Sequence, residues 1–286
     1  METTGIAIVT GASSGIGAAF ARELAASFRG GRRYPGIPSF DELWIAARRA
    51  DRLEALAAEL RTAAPGLSVV AIASDLAAPG AATALAARAS AGGAAGIAAA
   101  FGKPVRILVN NAGYGTYGDF DHVRLERQLG QVDLNCRSLT ESCGAFSPML
   151  DRGSVVINVS SLAAFAPLGG FAVYAASKAY ALSLSVALTA EWKRRGVKVC
   201  ALCPGPVATE FALVASAGAR AEVRHGWSAE RTAALCLRDA GRGRQISMPR
   251  PLWRFRRFAG WLFGPELSAA FAYRFMKRPS AESPAE

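Results

Sequence analysis

Short apolar runs alternate with longer alanine-rich segments along most of this 286-residue chain, and this alternation constrains the fold more than any other feature. The apolar runs lie at 6–9, 43–47, 67–73, 105–109, 154–159, 197–202 and, more weakly, 244–248. The segments between them predict helices near 15–28, 51–64, 80–100, 121–150, 173–195 and 228–239. Apolar strands separated by helices are typical of parallel sheets that are covered on both faces. The sequence therefore predicts an α/β fold with a single doubly wound parallel sheet of about seven strands.

The composition agrees with one large folded unit. Hydrophobic residues make up 51 % of the chain, which excludes an intrinsically disordered protein. No interdomain linker interrupts the pattern, so we expect one domain at 1–249 followed by a C-terminal extension at 250–286. No run of ~18 uncharged apolar residues occurs, and the run at 5–9 is too short for a signal peptide. We expect neither a membrane span nor a secretion signal.

The charge and the cysteines bear on partners and location. The formal net charge of +11 fits an acidic partner (a phosphorylated cofactor, an acyl carrier, an anionic membrane or nucleic acid), or else solvated arginines without a partner. No nucleic-acid recognition motif is present, so no such binding is expected. Cys200 and Cys203 lie in an apolar run and are interpreted as buried thiols. His122 and His225 lie in no ligand-spaced cluster, so we predict no metal and a reduced, cytoplasmic protein.

A glycine-rich turn follows the first predicted strand and opens the first predicted helix. Its glycines are Gly11, Gly15 and Gly17. Without side chains, the backbone can approach a pyrophosphate closely, and the helix N-terminus supplies N–H groups and a positive dipole end. Three glycines alone are weak evidence, but their position between strand and helix predicts a dinucleotide site.

The end of the second predicted strand bears on the choice between NAD and NADP. The strand ends at Arg48 and Arg49 and has no carboxylate there, whereas Asp41 precedes the strand and belongs at its other end. An arginine at this place accommodates a 2′-phosphate. We therefore predict NADP(H), with Arg48 on the 2′-phosphate; the alternative is that both arginines are solvated. The Gly- and Pro-rich segment 28–40 before this strand predicts an irregular surface loop.

Tyr174 and Lys178 lie four residues apart on a predicted helix, and Ser161 precedes them. A phenol has an ordinary pKa of about 10 and exchanges protons poorly at neutral pH. An ammonium one helical turn away favours the phenolate, because positions i and i+4 share a helix face. The arrangement suits proton transfer to or from a carbonyl oxygen.

Together, the motifs resemble the short-chain dehydrogenase/reductase family over roughly residues 5–210. The matching segments occur in the order of that family and are Thr10-Gly-Ala-Ser-Ser-Gly-Ile-Gly17, Asp75, Asn110-Asn-Ala-Gly113, Asn135, Ser161, Tyr174-x-x-x-Lys178 and Pro204-Gly-Pro-Val-Ala-Thr209. Each motif alone is modest evidence, whereas the ordered set is specific.

The resemblance implies a role for each matched residue. Tyr174 is the general acid in carbonyl reduction, Lys178 lowers its pKa and binds the nicotinamide ribose, and Ser161 rather than Ser160 orients the substrate oxygen. Asn135 holds a water that relays protons. The implied cofactor-binding residues are Gly11, Ser13, Ser14, Gly15, Ile16, Gly17, Arg48, Arg49, Asp75, Leu76, Asn111, Ala112, Gly113, Tyr174, Lys178, Pro204, Gly205, Val207 and Thr209.

These observations predict an NADPH-dependent oxidoreductase that reduces a hydrophobic ketone, aldehyde or 3-ketoacyl compound, acting as a homodimer or homotetramer. An apolar lid is expected at 210–227. A non-catalytic NADP(H)-binding redox sensor is the alternative, although a sensor needs no proton donor. A nucleotide-sugar epimerase also carries Tyr-x-x-x-Lys, but it usually has another glycine spacing and a larger C-terminal domain.

The extension from residue 250 onward mixes aromatic residues with arginines. Its aromatic residues include Trp253, Phe255, Phe258, Trp261 and Phe263, and its arginines include Arg250, Arg254, Arg256 and Arg257. We expect it to pack on the domain or on a partner subunit, with a membrane surface as the alternative.

Overall fold

The computed structural model of the protein describes residues 5–28, 34–91, 103–221, 226–276 and 278–281, without the side chains at 256 and 259–261. The predictions at 29–33 and 92–100, and those for His225 and the side chains of Arg256 and Trp261, lie outside this description.

A single parallel sheet of seven strands organises the described part of the chain, in the order β3-β2-β1-β4-β5-β6-β7. Its strands are Ile6–Thr10 (β1), Glu42–Ala47 (β2), Ser68–Ala73 (β3), Val105–Asn110 (β4), Val155–Val159 (β5), Lys198–Leu202 (β6) and Ile246–Ser247 (β7). In register, Val9 of β1 stands between Ile45 of β2 and Val109 of β4. The strand order reverses between β1 and β4, which makes a switch point where such sheets bind ligands.

Helices connect the strands. The α-helices of the described residues are Gly15–Phe28 (α1), Ala50–Ala63 (α2), Ala81–Ser90 (α3), Leu125–Val132 (α4), Ser138–Phe146 (α5), Ala172–Trp192 (α6), Phe211–Ala215 (α7), Ala229–Gly241 (α8) and Pro251–Phe275 (α9). The doubly wound α/β fold predicted from the apolar runs is confirmed.

Buried side chains form two apolar clusters. Successive residues of a strand point to opposite faces, so Val9 belongs to one cluster and Ile8 to the other. Phe20 of α1 packs in the first cluster, and Phe146 of α5 and Trp192 of α6 pack in the second. Each large side chain removed from water contributes about 1.5–3 kcal/mol. Helices on both faces therefore hold the strand ends in fixed positions.

The helix predicted at 121–150 is present from Leu125 to Met149, but it is not a regular α-helix throughout. A π-helical turn at Asp133–Arg137 lies between α4 and α5, and a 3-10 turn at Ser147–Met149 follows α5. The π-helical turn carries Asn135, whose side chain forms hydrogen bonds with the backbone of a neighbouring loop. The helix predicted near 80–100 ends at Ser90 within the described residues. The run at 244–248 forms only a two-residue strand.

The described part of the segment 28–40 is irregular, as predicted, but its two ends are buried. Residues 34–40 are irregular, but Tyr34 and Phe40 are buried. The Tyr34 hydroxyl donates a hydrogen bond to Glu23 of α1. Lys198 donates from Nζ to the carbonyl oxygen of Gly36 at 2.9 Å. This part of the loop is therefore anchored to the domain by aromatic packing and hydrogen bonds.

The C-terminal extension forms α9, which changes direction at Gly264 (φ 78°) just before Pro265. Its first half is anchored by Trp253, which is 1 % exposed. A β-carbon on Gly205 would stand 2.4 Å from Trp253 Nε1, so the indole lies directly against the loop after β6. Its second half packs Tyr273 against Gly169.

Candidate active site

One cavity of about 1420 Å³ opens at the carboxyl ends of the parallel strands. It is larger than the roughly 300–1,000 Å³ of an ordinary small-molecule site, so it has room for both a dinucleotide and a substrate. The predicted site residues that line it are Gly11, Ser13, Ser14, Gly15, Ile16, Arg48, Arg49, Asp75, Leu76, Asn111, Ala112, Gly113, Ser161, Tyr174, Lys178, Pro204, Gly205, Val207 and Thr209. Gly17 and Asn135 lie behind this lining.

The glycine turn fits a pyrophosphate. Gly11 and Gly15 have positive φ angles of 65° and 56°, which other residues rarely adopt. A β-carbon on Gly17 would stand 2.3 Å from Gly11 O and 2.5 Å from Asn111 Nδ2. Gly17 therefore acts by close packing beneath the turn, while α1 begins at Gly15 and aims its free N–H groups into the cavity.

Thr10 joins the turn to the end of β4. Its Oγ1 accepts hydrogen bonds from the backbone N–H groups of Asn111 at 2.9 Å and Ala112 at 3.1 Å. Asn111 Nδ2 donates in return to Thr10 O at 3.0 Å. These bonds hold the two strand ends together on either side of the switch point.

Arg49 is the more constrained of the two arginines after β2. It donates from Nη2 to Ser13 Oγ at 3.0 Å and to Ser14 Oγ at 2.8 Å, and from Nη1 to Glu210 Oε2 at 2.9 Å. Arg48 lines the cavity with an exposed side chain. Asp41 lies outside the cavity lining and pairs with Lys103 at 2.9 Å, as its position before the strand predicted.

Tyr174 lies in an aromatic enclosure. Its ring stacks on Phe171 with centroids 4.2 Å apart and planes inclined by 18°, and Phe211 lies 5.3 Å away. Burial raises the pKa of Tyr174 above its ordinary value, and a hydrogen bond with Ser161 lowers it by less. We expected Lys178 to lower this pKa. In the protein without a ligand the pKa is instead raised, because desolvation of the phenolate is the larger effect.

Lys178 is buried beneath the same cavity. Its Nζ donates to Val159 O at 2.8 Å and lies 5.7 Å from the centroid of the Tyr174 ring. Burial lowers the pKa of Lys178 to about 8, with smaller opposing contributions from Cys136 and Cys203. The ammonium is therefore mainly protonated at neutral pH but becomes neutral in mildly alkaline solution.

The two neighbouring serines have different partners. Ser160 Oγ donates to Lys178 O at 2.7 Å and so holds the helix that carries Tyr174. Ser161 Oγ accepts from Ala163 N at 3.1 Å and interacts with Tyr174. This geometry favours Ser161 as the residue that faces a substrate oxygen beside the phenol.

Asn135 positions the loop that follows β4. Its Nδ2 donates to Tyr114 O at 2.9 Å and to Ser177 Oγ at 3.0 Å, and its Oδ1 accepts from Tyr114 N at 3.2 Å. A β-carbon on Gly113 would stand 2.8 Å from Asn135 Oδ1 and 3.4 Å from Lys178 Nζ. Both polar groups therefore flank Gly113, although only the lysine reaches the cavity lining.

A buried polar network that sequence reasoning missed supports the site from behind. Asn110 Nδ2 donates to Asn158 Oδ1 at 2.9 Å, and Asn158 Nδ2 donates to Ser185 Oγ at 3.0 Å. Ser142 Oγ donates to Asn110 Oδ1 at 2.7 Å. The network links β4 and β5 to α5 and α6. The sequence did contain a signal for this network, since Asn110 and Asn158 lie within apolar strands and buried amides require hydrogen-bond partners.

The substrate end of the cavity is mainly apolar. Tyr117 lies 4.8 Å from Phe171 between ring centroids and packs edge-on. Phe211 of α7 belongs to the predicted lid, whereas Phe263, Leu267 and further residues of α9 extend the wall. The extension therefore contributes directly to the cavity.

Three further features of the molecule concern metal binding, membrane insertion and the cysteines. Within the described residues, no group of three histidine, cysteine or acidic side chains is placed to hold a metal ion. None of the helices in the described ranges combines the length and apolar character needed to cross a bilayer. The cysteines have free thiols, and only Cys136 is partly exposed.

Comparison with known proteins identifies the family. Residues 5–219 match the family described as short chain dehydrogenase. The chain belongs to the short-chain dehydrogenase/reductase family. The resemblance inferred from the ordered motifs is thereby confirmed, and the chain is an oxidoreductase of that family.

Individual relatives agree with this assignment. The chain is 34 % identical over 218 residues to serine 3-dehydrogenase from Rhizobium radiobacter, covering 75 % of this chain and 77 % of that protein. A short-chain dehydrogenase from Sphingobium yanoikuyae in complex with NADPH aligns with a TM-score of 0.72 and 29 % identity, covering 91 % and 94 % of the two chains. A Burkholderia phymatum member in complex with NAD shares the fold, with a TM-score of 0.74, 23 % identity and coverage of 94 % and 97 %.

Proposed function

We propose that the protein is an NADPH-dependent carbonyl reductase, with Tyr174 as the proton donor. The observation that carries this proposal is the convergence of Ser161, Tyr174 and Lys178 on one cavity with the glycine turn. When bound, the nicotinamide supplies the hydride for the carbonyl carbon. Ser161 and Tyr174 then place two hydroxyl donors at the oxygen on which negative charge develops.

The environment of Tyr174 supports the reducing direction. Burial raises the pKa of Tyr174, so the phenol keeps its proton at neutral pH and can donate it. The Lys178 ammonium stabilises the phenolate that remains after transfer, in an enclosure with little water. The packed rings of Phe171 and Phe211 restrict access of solvent to the same oxygen.

Asn135 is proposed to act in returning a proton to Lys178. Its Oδ1 accepts one hydrogen bond from Tyr114 and has capacity for a second. This oxygen and Lys178 Nζ both lie close to Gly113, where an added β-carbon would stand 2.8 Å and 3.4 Å from them. A water that bridges the two groups would complete the relay.

The preference for NADP(H) is proposed from the arginines after β2. Arg48 and Arg49 line the cavity. Asp41, the carboxylate that would favour NAD if it stood at this strand end, lies outside the cavity and pairs with Lys103. The Sphingobium yanoikuyae relative was solved with NADPH, which supports this preference. Related folds also bind NAD, so the preference rests on the arginines of this chain.

Oxidation of NADPH over a panel of ketones and aldehydes tests the proposal, with Tyr174→Phe as the decisive variant. We expect turnover by the wild type and its loss in the variant, with NADPH binding retained. Tyr180→Phe is the matched control, because Tyr180 lies on the same helix and its hydroxyl bonds Thr140 at 2.5 Å. Near-normal activity of Tyr174→Phe would disprove the assigned donor. Cofactor binding without any turnover would favour the redox sensor.

We propose a homo-oligomer, a homodimer or homotetramer, that associates through exposed apolar residues of α4 and α6, namely Leu125, Leu129, Val132 and Val186. Free thiols support a cytoplasmic location.

For the extension at 250–286, we propose that the inner face of α9 packs on the 1–249 domain as a wall of the substrate cavity. Trp253 and Ala272 are buried on that side. Its outer face carries exposed apolar residues among arginines, which fits contact with an anionic membrane surface.

A further inference from the structure

The substrate end of the cavity is positively charged as well as apolar. Arg220, Arg274 and Arg278 line this end. The described carboxylates in the lining are Asp75 and Glu210, at the opposite end, where Arg49 and Arg52 hold Glu210. We propose that Arg278 forms an anion subsite and that the substrate is an amphiphile, with an apolar body and a carboxylate or phosphate group. This rests on the proposed carbonyl reductase function.

Arg278 is held directly beside the catalytic residues. Its guanidinium lies 5.2 Å from the centroid of the Phe171 ring, and Phe171 stacks on Tyr174 at 4.2 Å. Arg278 Nη1 donates to Gly169 O at 2.9 Å, and Nη2 has only a weak contact with Met276 Sδ at 3.9 Å. The Arg278 guanidinium is therefore oriented by the Phe171 ring and the Gly169 carbonyl group, and its remaining N–H donors are available to a ligand.

Arg278 also lacks a counter-ion among the residues that the structure describes. No carboxylate there lies within salt-bridge distance of its guanidinium, although the side chain is only partly exposed. Burial lowers the pKa of Arg278, which reflects the same loss of solvation. Removing a charge from water without a partner is unfavourable, and a ligand anion would offset that loss.

The other two arginines reinforce the subsite. Arg220 and Arg274 form no salt bridge with the described acidic residues. Clustered charges of one sign in a cleft raise the local concentration of the opposite ion. Around them stand apolar residues of two elements, among them Leu168, Phe263 and Phe271. The lining thus fits an acyl-like chain that ends in an anion.

Phe171 contacts both the anion subsite and the proton donor. Its ring centroid lies 5.2 Å from the Arg278 guanidinium and 4.2 Å from the centroid of the Tyr174 ring. A substrate that engages both groups must extend past this ring. We infer that several carbon atoms separate the carbonyl from the anionic group. A fork of N–H donors suits a carboxylate or phosphate.

Isothermal titration calorimetry with decanoate and decan-1-ol tests this subsite on the full chain, with and without saturating NADPH, which neither probe can oxidise. We expect decanoate to bind wild type about tenfold more tightly than the alcohol, the difference typical of a charge-assisted hydrogen bond. Arg278→Gln should lose this preference while keeping its affinity for decan-1-ol, and Arg278→Lys should retain part of it. Arg254→Gln, in α9 but outside this cavity, should behave as wild type.

Three results would overturn the proposal. These are equal affinity of the two probes for wild type, binding of neither probe, and a preference for decanoate that survives in Arg278→Gln. Retained affinity for decan-1-ol shows that the variant still has a folded cavity. Because calorimetry needs no turnover, Tyr174→Phe should give the wild-type result. A failure of the reductase proposal is thereby distinguished from a failure of the subsite.

Discussion

Glu210 and Arg49 form a salt bridge of 2.9 Å between Glu210 Oε2 and Arg49 Nη1. Arg49 follows β2 and Glu210 follows β6, so the pair spans the cleft above the glycine turn. Hydrogen bonds from Arg49 and then Arg52 lower the pKa of Glu210, which keeps the carboxylate ionised at neutral pH. The carboxylate therefore competes with any phosphate for the two guanidinium groups.

Glu210→Gln is expected to lower the KM for NADPH by about threefold, because Arg49 and Arg52 lose a competing negative charge. The effect on KM is modest because the interaction free energy of a partly exposed ion pair is only roughly 0.2–1 kcal/mol. The KM for NADH should remain unchanged, since NADH lacks the 2′-phosphate. Steady-state kinetics with both cofactors measures this, and Glu230→Gln, at the start of α8, is the control. Equal shifts for both cofactors would contradict the prediction.

The pH dependence of kcat/KM for NADPH is expected to show an alkaline limb near pH 8. This parameter reports groups of the free enzyme. Burial lowers the pKa of Lys178 to about 8, so the ammonium is lost as the pH rises through that value. Burial raises the pKa of Tyr174, so the phenol keeps its proton over the same range. Activity in reduction should therefore decline above about pH 8.

Unfolding is not expected to cause that decline. Unfolded Lys178 binds its proton up to a pKa of about 10.4, whereas the folded group releases it near 8. Between these values the unfolded state binds more protons, so this residue makes the protein more stable as the pH rises. Tryptophan fluorescence at each pH checks that the protein is folded. A flat profile from pH 7 to 9.5 would contradict the assignment.

Gly17→Ala is expected to destabilise the protein by about 1–3 kcal/mol, the usual cost of overpacking. The added methyl group would stand 2.3 Å from Gly11 O and must push the phosphate turn outward. Urea unfolding measures the free energy, and NADPH binding should weaken in the same variant.

Gly144→Ala is the matched control for that experiment. Gly144 lies in α5, and an added β-carbon there meets no atom within 4 Å. It should stabilise the protein by about 0.5–1 kcal/mol through helix propensity. Destabilisation of similar size in both variants would show that close packing at Gly17 is not the cause.

The outer face of α9 is expected to bind anionic vesicles. Leu252, Phe255, Phe258 and Leu262 are spaced as one helix face and are 45–65 % exposed, and Arg254 is also exposed. We expect co-sedimentation with phosphatidylglycerol vesicles but not with neutral phosphatidylcholine vesicles, because binding requires both apolar area and charge.

The double variant Phe255→Ser/Leu262→Ser should reduce that co-sedimentation several-fold and leave turnover of a water-soluble carbonyl compound unchanged. Phe120→Ser removes an exposed apolar side chain outside α4, α6 and α9 and should still bind vesicles. If wild type stays in the supernatant with both lipids, the membrane interpretation is wrong. A change in oligomeric state of the α9 variant would indicate a second copy as the partner.

Much of the fold followed from local patterns. Runs such as 43–47 are apolar throughout because their strands are covered on both faces, so their positions were readable without tertiary information. The π-helical turn at Asp133–Arg137 was not readable in this way, because Asn135 obtains its partners from the Tyr114 loop and from α6. The anchoring of Tyr34 likewise depends on a partner in α1, eleven residues earlier.

The sequence by itself determined the sheet, the family, the glycine turn and the spacing of Tyr174 and Lys178, because periodicity and short-range geometry are local properties. Only the tertiary structure decided the direction of the Tyr174 pKa, since desolvation depends on Phe171 and Phe211 packing around the ring. It also placed Arg278 above Phe171, more than a hundred residues away in the chain. Burial and long-range contact arise only when distant segments meet, which no local pattern encodes.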